Sequence, residues 1–153
     1  MAAILGETYP DLYAAVGVHS GLAAGAAGDL PSALAAMRTG AAAAATRPGP
    51  PTIVFHGDAD ATVHPANGEH VVTGRVGRPD AEPEVDRQHA GGGRGYTRRV
   101  HRSPEGDVLA EHWVVHGSGH AWSGGSREGS FTDPSGPDAT EQMLRFFLQQ
   151  AHR

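Results

Sequence analysis

The chain has no cysteine among its 153 residues, which excludes a disulfide framework and a thiolate-based zinc site. That absence assigns no compartment, since reducing and oxidising spaces both tolerate it. Basic residues are few: 12 Lys and Arg against 17 Asp and Glu give a net charge of −5 with the 10 histidines neutral. No Lys/Arg cluster stands out, so nucleic acid is not an expected partner, because phosphate binding needs concentrated positive charge. No apolar run approaches the roughly 20 residues of a membrane span, and no membrane partner is expected. The N-terminus lacks the basic-then-apolar pattern of a secretory signal, so the compartment reading leans cytoplasmic.

What is present is a globular composition, 39% hydrophobic, rich in Gly (22) and Pro (11). This length suits one domain with one modest core and long loops, so residues 1–153 are read as a single domain. Met1 to Thr8 is a helix candidate closed by Tyr9-Pro10. Tyr13 to His19 reads as a buried parallel-type strand ending at Ser20-Gly21. Asp29-Leu30-Pro31 starts a helix with Asp29 as its cap and an apolar face of Leu34, Met37 and Ala41. The alanine run to Ala45 favours helix, and Arg47-Pro48-Gly49-Pro50-Pro51 breaks it.

Thr52 to Val63 organises the rest. Ile53-Val54-Phe55 is a short apolar run of buried-strand type, stopping at His56-Gly57, with Asp60 three residues past the glycine. A helix begins near Pro65 and runs to Val72, and Gly74 to Gly95 reads as a mobile loop. Tyr96 to Arg102 alternates, with Tyr96, Arg98 and Val100 on one face. Leu109 to Val115 is its hairpin partner across the turn Ser103 to Asp107. The latter strand runs into Gly117-Ser118-Gly119-His120. After a Gly/Ser loop from Ser123 to Pro137, Asp138-Ala139-Thr140-Glu141 has the form of a capping box. The final helix takes its apolar face from Leu144, Phe147 and Leu148, with Met143 and Ala151. The order predicts an α/β class: a short mixed sheet of three or four strands flanked by helices.

Two strand ends thus each lead to a polar residue of catalytic type, where open α/β sheets bind ligands. The order, Asp then His, is the second half of the Ser…Asp…His order of α/β-hydrolases. The segment His56-Gly57-Asp58-Ala59-Asp60-Ala61-Thr62-Val63-His64-Pro65-Ala66-Asn67-Gly68 resembles the acid loop of the polyhydroxybutyrate-depolymerase-like esterases. Gly119-His120-Ala121-Trp122-Ser123-Gly124-Gly125-Ser126 resembles their histidine loop, and Val18-His19-Ser20-Gly21-Leu22 a further segment. The three occur in order and span nearly the whole chain. The resemblance implies a partial, C-terminal-half α/β-hydrolase fold. One departure is large: no Gly-x-Ser-x-Gly elbow occurs in the sequence, whereas that family carries one just ahead of a segment like Met1-Ala2-Ala3-Ile4-Leu5.

The expected chemistry is hydrolysis of short-chain carboxylic esters by acyl transfer. His120 is the base, with Gly117 and Gly119 giving it a tight loop. Asp60 is the orienting acid, preferred over Asp58 because the Asp-x-x-Val spacing to Val63 matches the family loop. Asp58 is read as a turn residue bonding its own backbone, and His56 and His64 as braces of the acid loop. Ser20 is the candidate nucleophile. Ser118 and Ser123 compete for that role, as does a serine from a partner chain. His19, Gly21 and Trp122 are candidate substrate-binding residues, and nearby backbone amides are candidate oxyanion donors. Trp122 either packs on an acyl chain or anchors its loop. His112, His116 and His120 recur every fourth residue, but on a strand and loop that spacing does not converge three imidazoles, so no metal and no cofactor are expected. The other reading is an inactive half-domain. A bare apolar edge at the Tyr13 to His19 strand invites another copy of the chain, so a homodimer or larger oligomer is expected.

Overall fold

The run Thr52-Ile53-Val54-Phe55-His56-Gly57 shows no alternation of apolar and polar positions, which suits a strand covered on both faces. In the computed structural model, which describes residues 1–41, 48–77 and 82–150, all six of its residues are buried. In chain order the elements are α1 (Ala2–Thr8), β1 (Val16–His19), α2 (Leu30–Thr39), β2 (Thr52–Gly57), α3 (Ala66–Val76), β3 (Glu84–His89), β4 (Gly95–Arg102), β5 (Val108–Val115), β6 (Trp122–Ser123), β7 (Thr132–Asp133) and α4 (Ala139–Gln150). The main sheet runs β1-β2-β5-β4-β3. Its β1, β2 and β5 are parallel, while β4 and β3 run antiparallel. This is the mixed sheet flanked by helices that the sequence predicts, with five strands rather than three or four.

Side-chain alternation sends the two faces of β2 into two cores. Val54 joins Val16, Val18, Val71, Val72 and Ala110 under α1 and α3. Ile53 and Phe55 join Trp113, Val115, Met143 and Phe146 under α4. Each fully buried side chain of this size contributes about 1.5–3 kcal/mol. Gly17 admits α4 against β1, because a Cβ there would lie 2.9 Å from the Phe147 ring and 3.0 Å from the Met143 sulfur. A row of stacked rings crosses the second core. Trp122 packs on His19 with ring centroids 4.7 Å apart, His19 on Phe55 at 5.8 Å, Phe55 on Trp113 at 5.0 Å and Trp113 on Tyr96 at 5.0 Å.

Local signals hold at several termini. Asp29 caps α2, accepting from the Ser32 amide at 2.8 Å, and the Asp138 carboxylate accepts from the Glu141 amide at 3.0 Å at the start of α4. Other expectations need correction. The first strand covers only Val16–His19; Tyr13 lies outside it and is exposed. In α2 the buried residue is Ala36, while Leu34 is exposed. The stretch from Gly74 to Gly95 is not one loop: Gly74 to Val76 complete α3, and Glu84–His89 form β3. This last is a charged, exposed edge strand with no apolar alternation to announce it. The Gly/Ser loop contains the short β6–β7 pair. In α4 the buried face is Ala139, Met143, Phe146 and Gln150, with Phe147 half-buried against the core, whereas Leu144 and Leu148 face outward. The alanine run beyond Ala41, Arg47 and Ala151 lie outside the described residues.

One buried carboxylate ties the helix layer to the sheet. Glu111 on β5 accepts from Arg98 of β4 (Nε 3.1 Å, Nη2 2.9 Å), from Arg145 of α4 (2.7 Å) and from the Trp113 indole (3.1 Å). Burial works against its charge, but the two guanidinium groups outweigh that and hold its carboxyl below the usual range. Breaking such a pair by deleting one partner is costly, because the remaining charges lose their counter-ion. Glu111→Ala is expected to lower unfolding stability by about 3 kcal/mol. Urea denaturation followed by tryptophan fluorescence would measure it.

Candidate active site

Three parallel strands, β1, β2 and β5, end on the same side of the sheet, and each is followed by a candidate residue. Ser20 directly follows β1. Asp60 lies three residues past β2, and His120 five residues past β5. A tight crossing brings the last two segments together. The Asp58 and Ala59 amides donate to the Val115 and Ser118 carbonyls, both at 3.1 Å. A Cβ on Gly57 would sit 2.2 Å from the Ser118 carbonyl oxygen and 2.8 Å from that of Gly119. Only glycine fits under that backbone.

Asp60 is buried and fully engaged. Its Oδ1 accepts from the amides of Thr62 (2.9 Å) and Val63 (2.8 Å), and its Oδ2 contacts His120 Nδ1 at 2.8 Å. Burial opposes its charge, but the Val63 amide, His120 and the Thr62 amide together hold the carboxyl below its ordinary value. An ionised carboxylate only accepts, so His120 Nδ1 carries a proton, and in the neutral ring Nε2 keeps its lone pair. The side chain of His120 is 38% exposed, and Nε2 has no hydrogen-bond partner among the described residues. That is the tautomer a general base needs. His56 braces the acid loop from below, donating from Nε2 to the Val63 carbonyl at 2.8 Å. His64 braces it at its exit, where its Nδ1 accepts from the Ala66 amide at 3.2 Å.

Ser20 has φ +49°, in the left-handed region that non-glycine residues seldom occupy, and is buried. His19 holds it. The Ser123 amide donates to His19 Nε2 at 3.0 Å, which places the ring proton on Nδ1, and Nδ1 donates to Ser20 Oγ at 3.2 Å. No hydrogen bond joins Ser20 to His120 among the described residues. At Gly21 the space of the missing side chain is taken by Val18, 2.9 Å from where a Cβ would be. Trp122 stacks on His19 and donates from its indole to Thr140 at 3.1 Å, anchoring its loop while staying 37% exposed. Of the competing serines, Ser118 is buried and donates to Asp133 at 2.8 Å, and Ser123 donates to the Pro137 carbonyl.

The reading of Asp58 as a turn residue bonding its own backbone needs correction. Its carboxylate crosses to the histidine loop and contacts His116 Nδ1 and the Gly117 amide. Asp133, which accepts from Ser118 and Arg94, is a further anchor that no spacing in the sequence signals. The three histidines at every fourth position go to separate surroundings: His112 inside the sheet, His116 on Asp58 and His120 on Asp60. No group of three or more metal-binding side chains is assembled among the described residues.

A model of the family described as esterase PHB depolymerase matches residues 1–79. The chain belongs to that family. The matched part holds Ser20 and Asp60 and ends ahead of β3; His120 lies beyond it and contacts Asp60. Membership supports a general esterase, hence hydrolase, function for the chain. No curated protein matches it. Its fold is that of a partial α/β-hydrolase, and no helix among the described residues is long and apolar enough to cross a membrane.

The His19 ring titrates as a buried group. Burial, then the nearby charges of His56 and His120, push its pKa down from 6.5 to about 4, against a smaller opposing pull from Asp60. Between those values the unfolded chain binds a proton that the folded chain refuses. The stability this neutral ring contributes is therefore whole above pH 6.5 and lost as the pH falls through about 4. His19→Asn is expected to flatten the fall in stability across that window, as measured by urea midpoints at stepped pH. In the parent, the ring protons of His19 should titrate near pH 4 by NMR.

Proposed function

We propose that the chain hydrolyses short-chain carboxylic esters by acyl transfer, with Ser20 as nucleophile, His120 as general base and Asp60 as its orienting acid. The observation that carries this reading is the 2.8 Å contact between His120 Nδ1 and a buried carboxylate already fixed by two amides. His120 Nε2 takes the proton of the serine hydroxyl as the oxygen attacks the ester carbonyl, and Asp60 stabilises the imidazolium. The same nitrogen then protonates the departing alcohol, and water releases the acyl group by the reverse sequence.

Three features support Ser20. It follows the strand next to the one that carries Asp60, and a residue held at positive φ after a strand gives a sharp turn of the kind used to present nucleophiles. Its Oγ accepts from His19, so its own proton is available to a base. The loop that follows His120 reaches the residue that holds Ser20, through the Ser123 amide on His19 at 3.0 Å. Burial of Ser20 favours small acyl groups over polyester chains. No cofactor enters the reaction.

The test is p-nitrophenyl acetate and butyrate hydrolysis by the parent, Ser20→Ala, His120→Ala and Asp60→Asn, with circular dichroism to check folding. Loss of the base or nucleophile is expected to cost about 10³-fold or more in kcat, and the asparagine a comparable factor through the wrong tautomer. An active Ser20→Ala beside a dead His120→Ala would move the nucleophile elsewhere. A parent with no turnover above buffer would remove the esterase reading.

A second reading is an inactive half-domain that self-associates through β1. Among the described residues β1 pairs only with β2, and Ile4, Tyr9, Leu12 and Tyr13, in the segment that precedes it, are exposed. The proposed partner is a second copy, pairing strand to strand across that edge. Light scattering should then give at least twice the 15.8 kDa chain mass, whereas a monomer at micromolar concentration would end this reading.

A further inference from the structure

A second carboxylate–imidazole pair stands beside the first and has no part in the chemistry above. Asp58, two residues ahead of Asp60, contacts His116 Nδ1 at 2.8 Å through Oδ2 and accepts from the Gly117 amide at 2.6 Å through Oδ1. His116 Nε2 lies 2.9 Å from Thr97 Oγ1 on β4. The His116 amide donates to the Gly95 carbonyl at 2.8 Å. The ionised Asp58 can only accept, so Nδ1 carries the proton, and the neutral ring's Nε2 accepts from the Thr97 hydroxyl. Burial opposes the Asp58 charge, but His116 and the Gly117 amide hold its carboxyl below the usual range.

Hydroxyl, imidazole and carboxylate are connected here as in a hydrolase triad. Thr97, however, is 4% exposed inside the sheet and offers no surface to an ester. The chain of bonds therefore acts on position. It links the acid loop to the histidine loop, two residues from Asp60 at one end and four from His120 at the other, and ties both to β4. We propose that Asp58 and His116 are positioning residues that set the separation and alignment of Asp60 and His120. In its kinetic consequences this rests on the esterase reading. Both side chains are nearly half exposed, so their hydrogen bond adds little to global stability. Their leverage is geometric, since displacing a reacting group by an ångström costs about 10²-fold in rate.

The test compares His116→Ala, Asp58→Ala and His116→Asn, whose amide N–H can replace the Nδ1–H toward Asp58. Both alanine variants are expected to lose about 10- to 100-fold in kcat on p-nitrophenyl acetate, with KM within about twofold of the parent. His116→Asn should recover most of that loss. In low-field proton NMR, the His120 Nδ1 proton should broaden or move in the alanine variants and return in the asparagine variant. Unchanged kcat and an unchanged His120 proton in both alanine variants would overturn the proposal. If the parent shows no turnover, the esterase reading fails and the His120 proton alone decides this one. Should an alanine variant not fold, Asp58→Asn against His116→Asn decides it. The former sets an amide donor against one of two existing donors and should disturb the His120 proton, and the latter should not.

Discussion

The site depends on how closely the chain leaving β5 passes over the end of β2. Parallel pairing delivers the two strand ends side by side, and Gly57 lets the Ser118 and Gly119 carbonyls lie where a side chain would otherwise stand. Two backbone bonds and the Asp58 side chain hold that crossing closed. With it in place, a carboxylate and an imidazole 60 residues apart in sequence meet at 2.8 Å, the carboxylate dry and the imidazole half in solvent. Dryness on one side and access on the other are what a base and its orienting acid require.

The surroundings of Ser20 are built differently. Ser20 is held from His19, and His19 is a member of a stacked row that runs through Phe55 and Trp113 to Tyr96. Trp122 closes the row on the solvent side, so the loop after His120 rests on the residue that holds Ser20. The position of Ser20 is thus tied to core packing, and that of His120 to a hydrogen-bonded crossing. The two are joined by the Ser123 amide on His19.

The sequence made legible those parts that rest on local chemistry. An unbroken apolar run marks β2, and a turn of Ser103 to Asp107 between the alternating Tyr96–Arg102 stretch and a second strand-like run marks the β4–β5 hairpin. Asp29 and Asp138 announce their helices by capping. Asp60 and His120 are legible as candidates because each lies a few residues past the end of a strand, just after a glycine-containing turn. The rest depends on partners that a linear reading does not supply. In α4, apolar residues at Met143, Leu144, Phe146, Phe147 and Leu148 cover an arc wider than the buried face, and the slot above Gly17 selects part of it. The strand β3 has one apolar residue in six, because as an edge strand it buries neither face. Asp58 has the same chemistry and almost the same address as Asp60, and only the meeting with His116 separates their roles.

The hairpin and the parallel pairings differ in how far along the chain they reach. Arg98 finds Trp113 across a short turn, whereas Val54 must find His112 with α3, β3 and the hairpin lying between them. Closing a long loop costs more entropy before any contact repays it, so local pairs tend to assemble first. On that ground the β4–β5 ribbon is the expected early structure, with β2 docking onto it afterwards. The Asp60–His120 contact, which needs that docking, then belongs to the last stage of folding. The ordering of the site thereby becomes a marker of the finished native state rather than of collapse.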